Sequence, residues 1–497
     1  MSSLAQRLLV VSNRLPIVLE KKNDAWKLKP GSGGLVSALA PVLSHRGGVW
    51  IGWPGLSLER DETWKAVLAR GYRDRGYEMV PVLLAAEEVK GFYEGFANAI
   101  LWPLFHDLLG QCNFDPSFWY TYLQVNEKFA SSVLTHSSED EDFIWVHDYH
   151  LIHVAEFIRR RNEALRVGFF LHIPFPPLDI LLKLPWRGQI LKALLAYDLL
   201  GFQTPRDTRN FLACLHALLP EAEIVEEWPV SVVHLGARTV RVGAFPIGID
   251  FQGYEESARS EDVTRRIGEL RGQIGPAQLI LGVDRLDYTK GLRERLAAFR
   301  NALQRHKSLR EQVLLFQVVV PSREGVPEYQ ALKAEIERLV GEINGEFSTA
   351  GWVPVHYHYK SLVRRDLIAL YRMARICFVT PIKDGMNLVA KEFCACQIEG
   401  RGALVLSEFA GAAAQLQGGA LLVNPHDIEG MADALKAAID LDEAERRWRM
   451  EEMRRILREQ DIFWWVDYYL QAALGTVPHD FRAPREYFPL LEIEEYF

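Results

Sequence analysis

One segment near the end of the chain combines residue types that could hold a sugar nucleotide. It begins at Asp384-Gly385-Met386-Asn387 and ends at Glu392, and it follows an apolar run at 376–381 that is typical of a buried strand. A strand, a glycine-bearing loop and a helix start together expose backbone N–H groups to a phosphate. The two carboxylates suit the hydroxyl groups of a sugar or a ribose. An ordinary strand-to-helix turn with a polar rim explains the same residues, so this segment leaves both interpretations open.

The segment 284–291 places two cations close together after another apolar run. Arg285 and Lys290 are five positions apart across a loop, so both could reach one diphosphate. Cations at that point would stabilise the charge on a departing nucleoside diphosphate. The alternative is a salt bridge at a helix start, with Asp284 or Asp287 as the partner.

Weaker signals lie in the first half of the chain. The run Gly31-Ser32-Gly33-Gly34 lacks the spacing of a dinucleotide-binding fingerprint, but it permits a close approach of the backbone to a ligand. His172 precedes a rigid proline-rich loop that would fix its position, although a structural histidine looks the same. Tyr93 and Trp102 flank an aromatic segment whose rings could stack on a sugar ring or pack in the core.

A cluster of histidines around 147–153 suggests a metal site at first sight. His150 and His153 are three positions apart on a predicted helix, and His147 precedes them. No matching set of carboxylates and histidines recurs elsewhere in the sequence, so we expect no metal centre.

The elements that would position these residues follow an alternating pattern. In the first half the sequence predicts strands at 8–12, 49–53, 144–147, 167–172 and 199–203, helices at 36–43 and 150–160, and a hairpin through 21–29. In the second half it predicts strands at 278–283, 313–320, 376–381 and 403–406, and helices at 292–306 and 328–343. A last, aromatic helix spans 461–474. Alternating strands and helices predict two Rossmann-like α/β domains, residues 1–244 and 245–460, with the C-terminal segment 461–497 packed back on the first.

The candidate residues share one position relative to these strands. Ligands of open α/β sheets bind at the carboxyl ends of the strands. Six reactive side chains come just after predicted strands, which favours a site in the cleft between the two halves: Arg14, Asp148, His172, Arg285, Arg323 and Asp384.

Composition limits the class of protein. The 497 residues exceed one ordinary core, and 49% hydrophobic with 25% charged residues is typical of a globular protein. A net charge of −8 argues against general nucleic-acid binding. Five scattered cysteines do not suggest a disulfide framework. Without a visible signal peptide or an apolar run of roughly 18–20 residues, we expect a soluble, cytoplasmic protein that binds no membrane.

Taken together, the motifs resemble those of the trehalose-6-phosphate synthase family. The resemblance covers nearly the whole chain and keeps one order. It rests on VSNR at 11–14, GGL at 33–35, NAILWP at 98–103, HDYH at 147–150, HIPFP at 172–176, GFQT at 201–204, RLDYTKG at 285–291, VPSR at 320–323, INGEF at 343–347 and DGMNLVAKE at 384–392. The resemblance implies two facing Rossmann domains of the GT-B architecture. It also implies transfer of glucose from UDP-glucose to glucose 6-phosphate, with retention at the anomeric carbon.

The resemblance also implies roles for individual residues. Those implied to bind the donor are Gly33, Gly34, Arg285, Lys290, Leu362, Asp384, Leu388, Val389, Ala390, Lys391 and Glu392, with Glu392 on the ribose. Those implied to bind the acceptor are Arg14, Tyr93, Trp102, Asp148 and Arg323. His172 would lie near the reacting sugar, and His172, Arg285, Lys290 and Asp384 would form the catalytic set.

The mechanism implied by the family needs no cofactor. Retaining transfer often uses two carboxylates roughly 5 Å apart, and no second carboxylate clearly fits the place of a nucleophile. The family's route is a front-face attack in which the leaving phosphate accepts the acceptor's proton. The protein then positions both substrates and stabilises charge. We expect a divalent metal to stimulate at most, and the sequence leaves assembly into a homo-oligomer open.

Some features depart from the family or leave alternatives. Lys383 stands where an arginine is usual. Residues 178–187 are closer to glucosylglycerol-phosphate synthases, which use ADP-glucose and glycerol 3-phosphate, whereas Arg323, His150 and the GGL run follow the trehalose pattern. A pseudo-glycosyltransferase and a silent sugar-phosphate-binding homologue are further alternatives. The silent homologue would be expected to lose Arg285, Lys290 or Glu392, and all three are present. Nucleotide preference among UDP, ADP and GDP stays open.

Overall fold

The structure, a computed structural model, divides the chain into two compact units. One comprises residues 1–247 and 462–483, and the other residues 248–461 and 484–497. The residues described are 7–22, 25–31, 34–55, 64, 67, 75–139, 142–227, 229–323, 327–476 and 486–487.

The first unit is built on a nine-stranded sheet with the order β5-β4-β1-β6-β7-β8-β11-β10-β9. Neighbours from β5 to β11 pair in parallel, and β10 pairs antiparallel with both β11 and β9. A separate hairpin joins β2 to β3. The strands are β1 Arg7–Arg14, β2 Ile17–Lys22, β3 Ala25–Pro30, β4 Val49–Trp53, β5 Glu78–Pro81, β6 Asp142–His147, β7 Arg166–Phe170, β8 Leu199–Phe202, β9 Glu223–Val225, β10 Val230–Leu235 and β11 Arg238–Ala244.

Helices cover this sheet. The longer ones are Gly34–Arg46, a π-helix at Val89–Leu101, Ser117–His136, Arg187–Leu194, Pro205–Leu218 and Ile462–Ala473, and shorter turns lie at Ala86–Glu88, Trp102–Phe105, Leu109–Gln111, Tyr149–Leu151, Val154–Arg159 and Leu178–Leu181. The helix Ile462–Ala473 belongs to this unit through specific contacts: Trp465 Nε1 donates to Phe245 O (2.9 Å), and Tyr469 OH donates to Phe169 O (2.9 Å).

The second unit is built on six parallel strands in the order β14-β13-β12-β15-β16-β17. The strands are β12 Gln278–Arg285, β13 Val313–Val320, β14 Val355–Tyr359, β15 Ile376–Val379, β16 Ala403–Ser407 and β17 Leu421–Val423. The helices are Phe251–Arg259, Glu261–Ile274, Leu292–Arg305, Pro327–Phe347, Arg364–Met373, Leu388–Cys396, Ala412–Leu416, Ile428–Asp440 and Glu443–Glu459, with short turns at Tyr288–Lys290 and Lys307–Leu309. One apolar core fills the space between the sheet and its helices.

The α/β class predicted from the sequence is confirmed. The predicted strands β4 and β13 have the bounds seen in the structure. The strands β9, β10 and β11 were not predicted. β10 is antiparallel to both neighbours because it returns directly into β11 through a tight turn at Gly236 (φ +59°), whereas β11 continues the parallel pattern beside β8. The predicted helix at 150–160 is instead a short 3-10 turn at Tyr149–Leu151 followed by Val154–Arg159. Within the described part of the chain, none of the helices has the length and apolar character of a membrane span.

Candidate active site

In the first unit, the candidate residues lie at one edge of the sheet. Arg14 ends β1, Asp148 follows β6 and His172 follows β7, and these strands are neighbours in the order β1-β6-β7. Parallel strands bring their carboxyl ends to the same edge, so the chain positions that the sequence predicted come together here.

Arg14 lies between two aromatic rings. Its guanidinium carbon is 3.8 Å from the centre of the Trp53 ring and 5.6 Å from that of Tyr93. Burial away from water lowers the pKa of Arg14. The Tyr93 hydroxyl, which hydrogen-bonds to it, raises the pKa by less. A Cβ atom at Gly55 (φ +87°) would collide with the same guanidinium. The side chain is therefore a preorganised cation at the surface of the unit, suited to a phosphate. Sequence reasoning missed Trp53 and Gly55, because neither carries a motif signal.

The π-helix Val89–Leu101 carries Tyr93. The Tyr93 ring stacks on His150, with centroids 5.8 Å apart and planes 11° apart, and its backbone carbonyl accepts from Asn98 Nδ2 (2.7 Å). Trp102, just after the π-helix, is 5% exposed and packs against His106 and Tyr149. Tyr93 thus has its ring fixed from one side, whereas Trp102 offers little surface to a ligand.

Asp148 has an unusual backbone conformation that fixes the start of the next loop. Its φ of +74° with ψ of 163° is a combination that non-glycine residues rarely adopt. Two hydrogen bonds hold it: the Asp148 N–H donates to Phe170 O (2.7 Å), and Asp148 Oδ1 accepts from the His172 N–H (3.2 Å). The ends of β6 and β7 are therefore tied together through this carboxylate.

His172 is held by its ring as well as by its backbone. Its Nε2 lies 3.1 Å from His147 Nδ1, and its Nδ1 lies 3.4 Å from Gln203 Nε2. Because Gln203 Oε1 accepts from the Ile247 N–H (3.0 Å), the amide nitrogen of Gln203 faces the imidazole. His172 Nδ1 is then an acceptor, and its Nε2–H donates to His147.

Both imidazoles of this pair are neutral near pH 7. Burial lowers the pKa of His172 to about 3. Burial, followed by the neighbouring His172, lowers the pKa of His147 well below its ordinary value. The His172 ring therefore carries no charge under ordinary conditions and has both nitrogens directed at protein groups. His147 and Gln203 were not identified as partners of His172 from the sequence, since they are distant along the chain.

In the second unit, Lys290 and Asp384 form an ion pair. Lys290 Nζ is 2.6 Å from Asp384 Oδ2, and the two side chains are 12% and 14% exposed. Asp384 also accepts from Asn387 Nδ2 (3.2 Å). Residues from the carboxyl ends of β12 and β15 thus meet at the loop that precedes the helix Leu388–Cys396.

Asp284, the neighbour of Arg285 in the chain, lies in a buried polar cluster. Asp284 pairs with Arg295, which is 0% exposed and also donates to Thr380 Oγ1 (3.1 Å) and Gln317 Oε1 (3.2 Å). Burial raises the pKa of Asp284 despite this cation. The sequence left open a salt bridge of Arg285 or Lys290 with Asp284 or Asp287. Asp284 pairs with Arg295 instead, whereas both cations act on Asp287 and lower its pKa. Arg285 is the exposed last residue of β12.

Arg323 lies in the second unit beside Asp287. Its Nη1 is 3.6 Å from Asp287 Oδ2 and hydrogen-bonds to the Tyr329 hydroxyl. Burial by itself would raise the pKa of Asp287, but Arg323, Lys290 and Arg285 lower it below its ordinary value. The three cations therefore make the potential at the Asp287 carboxylate positive.

The helix Leu388–Cys396 begins at Asn387, which has a left-handed conformation (φ +77°). Asn387 Oδ1 accepts from the Ala390 N–H (3.2 Å), which leaves the N–H groups of Leu388 and Val389 at the open end of the helix. These half-buried residues could present backbone donors to a phosphate.

Lys391 and Glu392 differ in their surroundings. Lys391 is 0% exposed and donates to Gln415 Oε1 (2.5 Å), so its ammonium points into the unit. Glu392 is 8% exposed, and its carboxylate accepts from the Tyr371 hydroxyl (2.9 Å) and from Tyr254. Burial raises the pKa of Glu392, although the hydrogen bonds from the two tyrosine hydroxyl groups lower it.

The remaining predicted positions carry less information. Leu362 is half-buried in the loop between β14 and the helix Arg364–Met373. Gly34 is the exposed first residue of its helix, and Gly33 lies outside the described residues. Among the side chains that the structure describes, no three His, Cys, Asp or Glu residues cluster as a metal site would require.

Comparison with known proteins shows which family the chain resembles. The profile of glycosyltransferase family 20 matches residues 6–474. Trehalose-6-phosphate synthase of Mycolicibacterium vanbaalenii is 42% identical over 476 residues, which are 95% of this chain and 96% of that protein.

Solved structures share the fold over nearly the whole chain. An α,α-trehalose-phosphate synthase (UDP-forming) from Burkholderia xenovorans, in complex with glucose 6-phosphate, has a TM-score of 0.85 at 36% identity and covers 94% of this chain and 100% of its own. An E. coli protein bound with UDP-2-fluoro glucose has a TM-score of 0.84 at 34% identity, over 95% and 100% of the two chains. These likenesses confirm the GT-B fold predicted from the sequence.

Proposed function

This chain belongs to glycosyltransferase family 20, and from that membership we infer that it is a retaining glucosyltransferase. It moves glucose from UDP-glucose to glucose 6-phosphate and forms α,α-trehalose 6-phosphate. The structural observation that carries this function is the Lys290–Asp384 pair beside the start of the helix Leu388–Cys396. A cation for a diphosphate, a carboxylate for a sugar and free backbone donors are the three groups that a sugar nucleotide needs.

In the donor half of the reaction, Arg285 and Lys290 hold the diphosphate. Lys290 pairs with Asp384 in the structure. When the donor binds, its diphosphate lies on the other side of the Lys290 ammonium, and the Asp384 carboxylate accepts hydrogen bonds from the sugar hydroxyls. The N–H groups of Leu388 and Val389 complete the phosphate contacts, and Glu392 accepts from the ribose. The two tyrosines on Glu392 keep its carboxylate in place for that contact.

In the acceptor half, Arg14 binds the phosphate of glucose 6-phosphate. The Tyr93 hydroxyl beside it supplies a second contact, and Asp148 accepts from a sugar hydroxyl. Arg323 provides a further cation, and its proximity to Asp287 limits its freedom before the substrate arrives. Support for these assignments comes from the buried partners that orient each side chain.

The chemical step follows from the charges that are present. As the glycosidic bond to UDP breaks, negative charge grows on the diphosphate, where Arg285 and Lys290 stabilise it. The leaving phosphate accepts the proton of the attacking hydroxyl. His172 is neutral and held through both ring nitrogens, so it contributes a fixed dipole near the reacting sugar rather than a proton. We propose that no metal is required, because Arg285 and Lys290 neutralise the diphosphate charge that a metal ion would otherwise neutralise.

The function is tested by product analysis. Purified protein is incubated with UDP-, ADP- and GDP-glucose, each with glucose 6-phosphate or glycerol 3-phosphate, with and without a chelator. UDP release that depends on glucose 6-phosphate, with an α,α-1,1 linkage in the product, is expected. Release with glycerol 3-phosphate but not with glucose 6-phosphate would instead assign the chain to the glucosylglycerol-phosphate reaction. Loss of turnover with the chelator would overturn the metal-free proposal alone.

A cytoplasmic location is part of the same proposal. All five cysteines are free, and four of them are buried. Unpaired cysteines are typical of a reducing compartment. Fractionation with an antibody against the native protein would test this.

A further inference from the structure

A polar cavity lies in the second unit, apart from the residues discussed above. Its volume is about 470 Å³, within the range of small-molecule sites. It is bounded by the helices Phe251–Arg259 and Glu443–Glu459 and by the loop after the helix Leu388–Cys396. Its charged lining consists of five arginines and three glutamates: Arg259, Arg401, Arg447, Arg454, Arg458, Glu255, Glu399 and Glu451.

Three of these arginines converge on one carboxylate oxygen. Glu255 Oε1 is 2.5 Å from Arg454 Nη2, 3.2 Å from Arg259 Nη2 and 3.5 Å from Arg458 Nη2. One carboxylate carries one negative charge, so it cannot neutralise three guanidinium groups. Like charges held this close repel one another unless another anion joins them.

Arg454 shows that the surplus charge persists inside the protein. Its side chain is 9% exposed and donates to the carbonyls of Cys394 (2.8 Å) and Ala395 (2.5 Å) at the end of their helix. Burial lowers the pKa of Arg454, Glu255 opposes this, and Arg458 and Arg259 lower it further.

The local charges can be summed. Three guanidinium groups and one carboxylate leave two positive charges, and a helix C-terminus contributes roughly half a negative charge. About one and a half positive charges therefore remain beside Glu255. The other lining charges, two arginines and two glutamates, cancel.

We propose that this cavity is an anion site that binds a phosphate group through Arg259, Arg454 and Arg458. Guanidinium groups form paired hydrogen bonds to phosphate, which a single point charge cannot do. The cavity has room for inorganic phosphate or for a small phosphorylated metabolite. The site is separate from the donor and acceptor residues, so the proposal does not depend on the transfer reaction.

The first test uses stability, which needs no activity. In the double variant Arg259→Gln/Arg458→Gln, both altered side chains are more than half exposed, at 60% and 56%, so the fold should persist. In phosphate-free buffer of low ionic strength, the variant should melt at the same temperature as the wild type or higher, because repulsion is relieved. Inorganic phosphate in hundredfold excess over its Kd should raise the wild-type Tm by roughly 5–10 °C more than the Tm of the variant, which keeps the phosphate-binding residues of the donor and acceptor halves.

A matched control lies on the same helix. Arg455 pairs with Glu452 (2.7 Å) and Glu459 (3.0 Å) and does not line the cavity. Arg455→Gln should leave the phosphate response intact. An equal phosphate response in the wild type and the double variant would overturn the proposal. A variant that melts well below the wild type without phosphate would also overturn it, because the arginines would then be ordinary stabilising ion pairs.

The second test measures binding directly by calorimetry on the UDP-saturated protein. The wild type should bind one more inorganic phosphate than the double variant, or bind it at least roughly tenfold more tightly. Identical titrations would refute the site. A parallel titration with glucose 6-phosphate distinguishes a sugar phosphate from inorganic phosphate as the ligand. If the wild type shows an extra binding event for glucose 6-phosphate that the double variant lacks, the ligand is a sugar phosphate. If the wild type shows no such event, the ligand is inorganic phosphate.

Discussion

Replacement of Lys391 by methionine tests whether this lysine acts on the donor or only packs inside the protein. The residue belongs to the motif from which the donor site was predicted, but its ammonium is fully buried against Gln415. Burial lowers the pKa of Lys391 from 10.5 to about 7. The folded protein therefore favours the neutral amine, and the charged form costs stability.

The size of this cost follows from the two pKa values. The difference between 10.5 and about 7 corresponds to about 5 kcal/mol, at about 1.4 kcal/mol for each pH unit. Below pH 7 the lysine is charged in both the folded and the unfolded protein, so the full cost is present. As pH rises from 7 to 10.5 the cost disappears, because the unfolded chain then also loses its proton.

The variant removes this cost and also removes one hydrogen bond. The carbonyl oxygen of Gln415 loses its donor, at about 1–3 kcal/mol. Lys391→Met should therefore be about 2–4 kcal/mol more stable than the wild type near pH 6.5. The two proteins should become equal between roughly pH 8 and 10, and the variant should be the less stable above that.

Thermal melting of both proteins across pH 6–10.5 measures this difference. A gain of 2–4 kcal/mol corresponds to roughly 5–15 °C in the transition of a unit of this size. Lys333→Met is the control, since Lys333 is a partly exposed lysine paired with Glu337 on the surface of the same unit, and it should show no crossover. UDP affinity should be unchanged in Lys391→Met. A tenfold loss of UDP affinity would show that the ammonium acts on the donor, and a pH-independent loss of stability would refute the pKa argument.

Three further predictions concern the reaction itself. Arg285→Ala and Lys290→Ala should each lower turnover by roughly 10²–10³ without unfolding the protein, and near-normal steady-state rates in both would show that these cations are structural. In Gln203→Glu the side chain no longer donates to His172 Nδ1, so the imidazole should change tautomer and gain a proton more easily. His147 and Asp148 are the other polar groups that contact His172. Nitrogen NMR of the ring should show that change and the pH–rate profile should gain an ionisation, while an unaltered profile and spectrum would contradict the hydrogen-bond chain. Arg323→Ala should lower the affinity for glucose 6-phosphate roughly ten- to a hundredfold and leave the affinity for UDP unchanged. Calorimetry that shows the reverse would place Arg323 in the donor half.

The fold was predictable where strands are buried on both faces. Runs such as 49–53 and 313–320 are continuous apolar segments, and the structure buries nearly every residue in them. The strand β14, Val355–Tyr359, was missed because it lies at a sheet edge and alternates histidine with tyrosine and valine, with most side chains half-buried. The π-helix Val89–Leu101 was missed for a different reason, since a search for the period of 3.6 residues does not detect it.

The candidate site was predictable by residue type but not by contact. Chemistry and strand position identified Lys290 and Asp384, but nothing local indicates that the two side chains meet, 94 positions apart. The same limit applies to Glu392 and its tyrosines. Adjacent residues of one motif also diverge, because the helix directs Lys391 into the unit and Glu392 toward Tyr371. Sequence motifs name candidates, whereas their roles depend on which face of the helix each one occupies.

Backbone strain supplies a signal that the sequence could not give. Five described non-glycine residues have a positive φ, and three of them belong to the predicted motifs: Asp148, Arg323 and Asn387. Asp148 and Arg323 lie just after the strands β6 and β13, and Asn387 begins the helix Leu388–Cys396. Such conformations cost of order 1–3 kcal/mol each and persist only where the surroundings enforce them. Asp148 is enforced by two hydrogen bonds to the end of β7 and Asn387 by its cap on the helix. If this strain positions the groups that meet the substrates, Asp148→Gly should keep or raise stability while lowering turnover, because the backbone relaxes and the carboxylate is lost. Asp148→Asn should retain the tie to His172 and much of the geometry. Wild-type turnover in both variants would show that neither the carboxylate nor the conformation it holds contributes to catalysis.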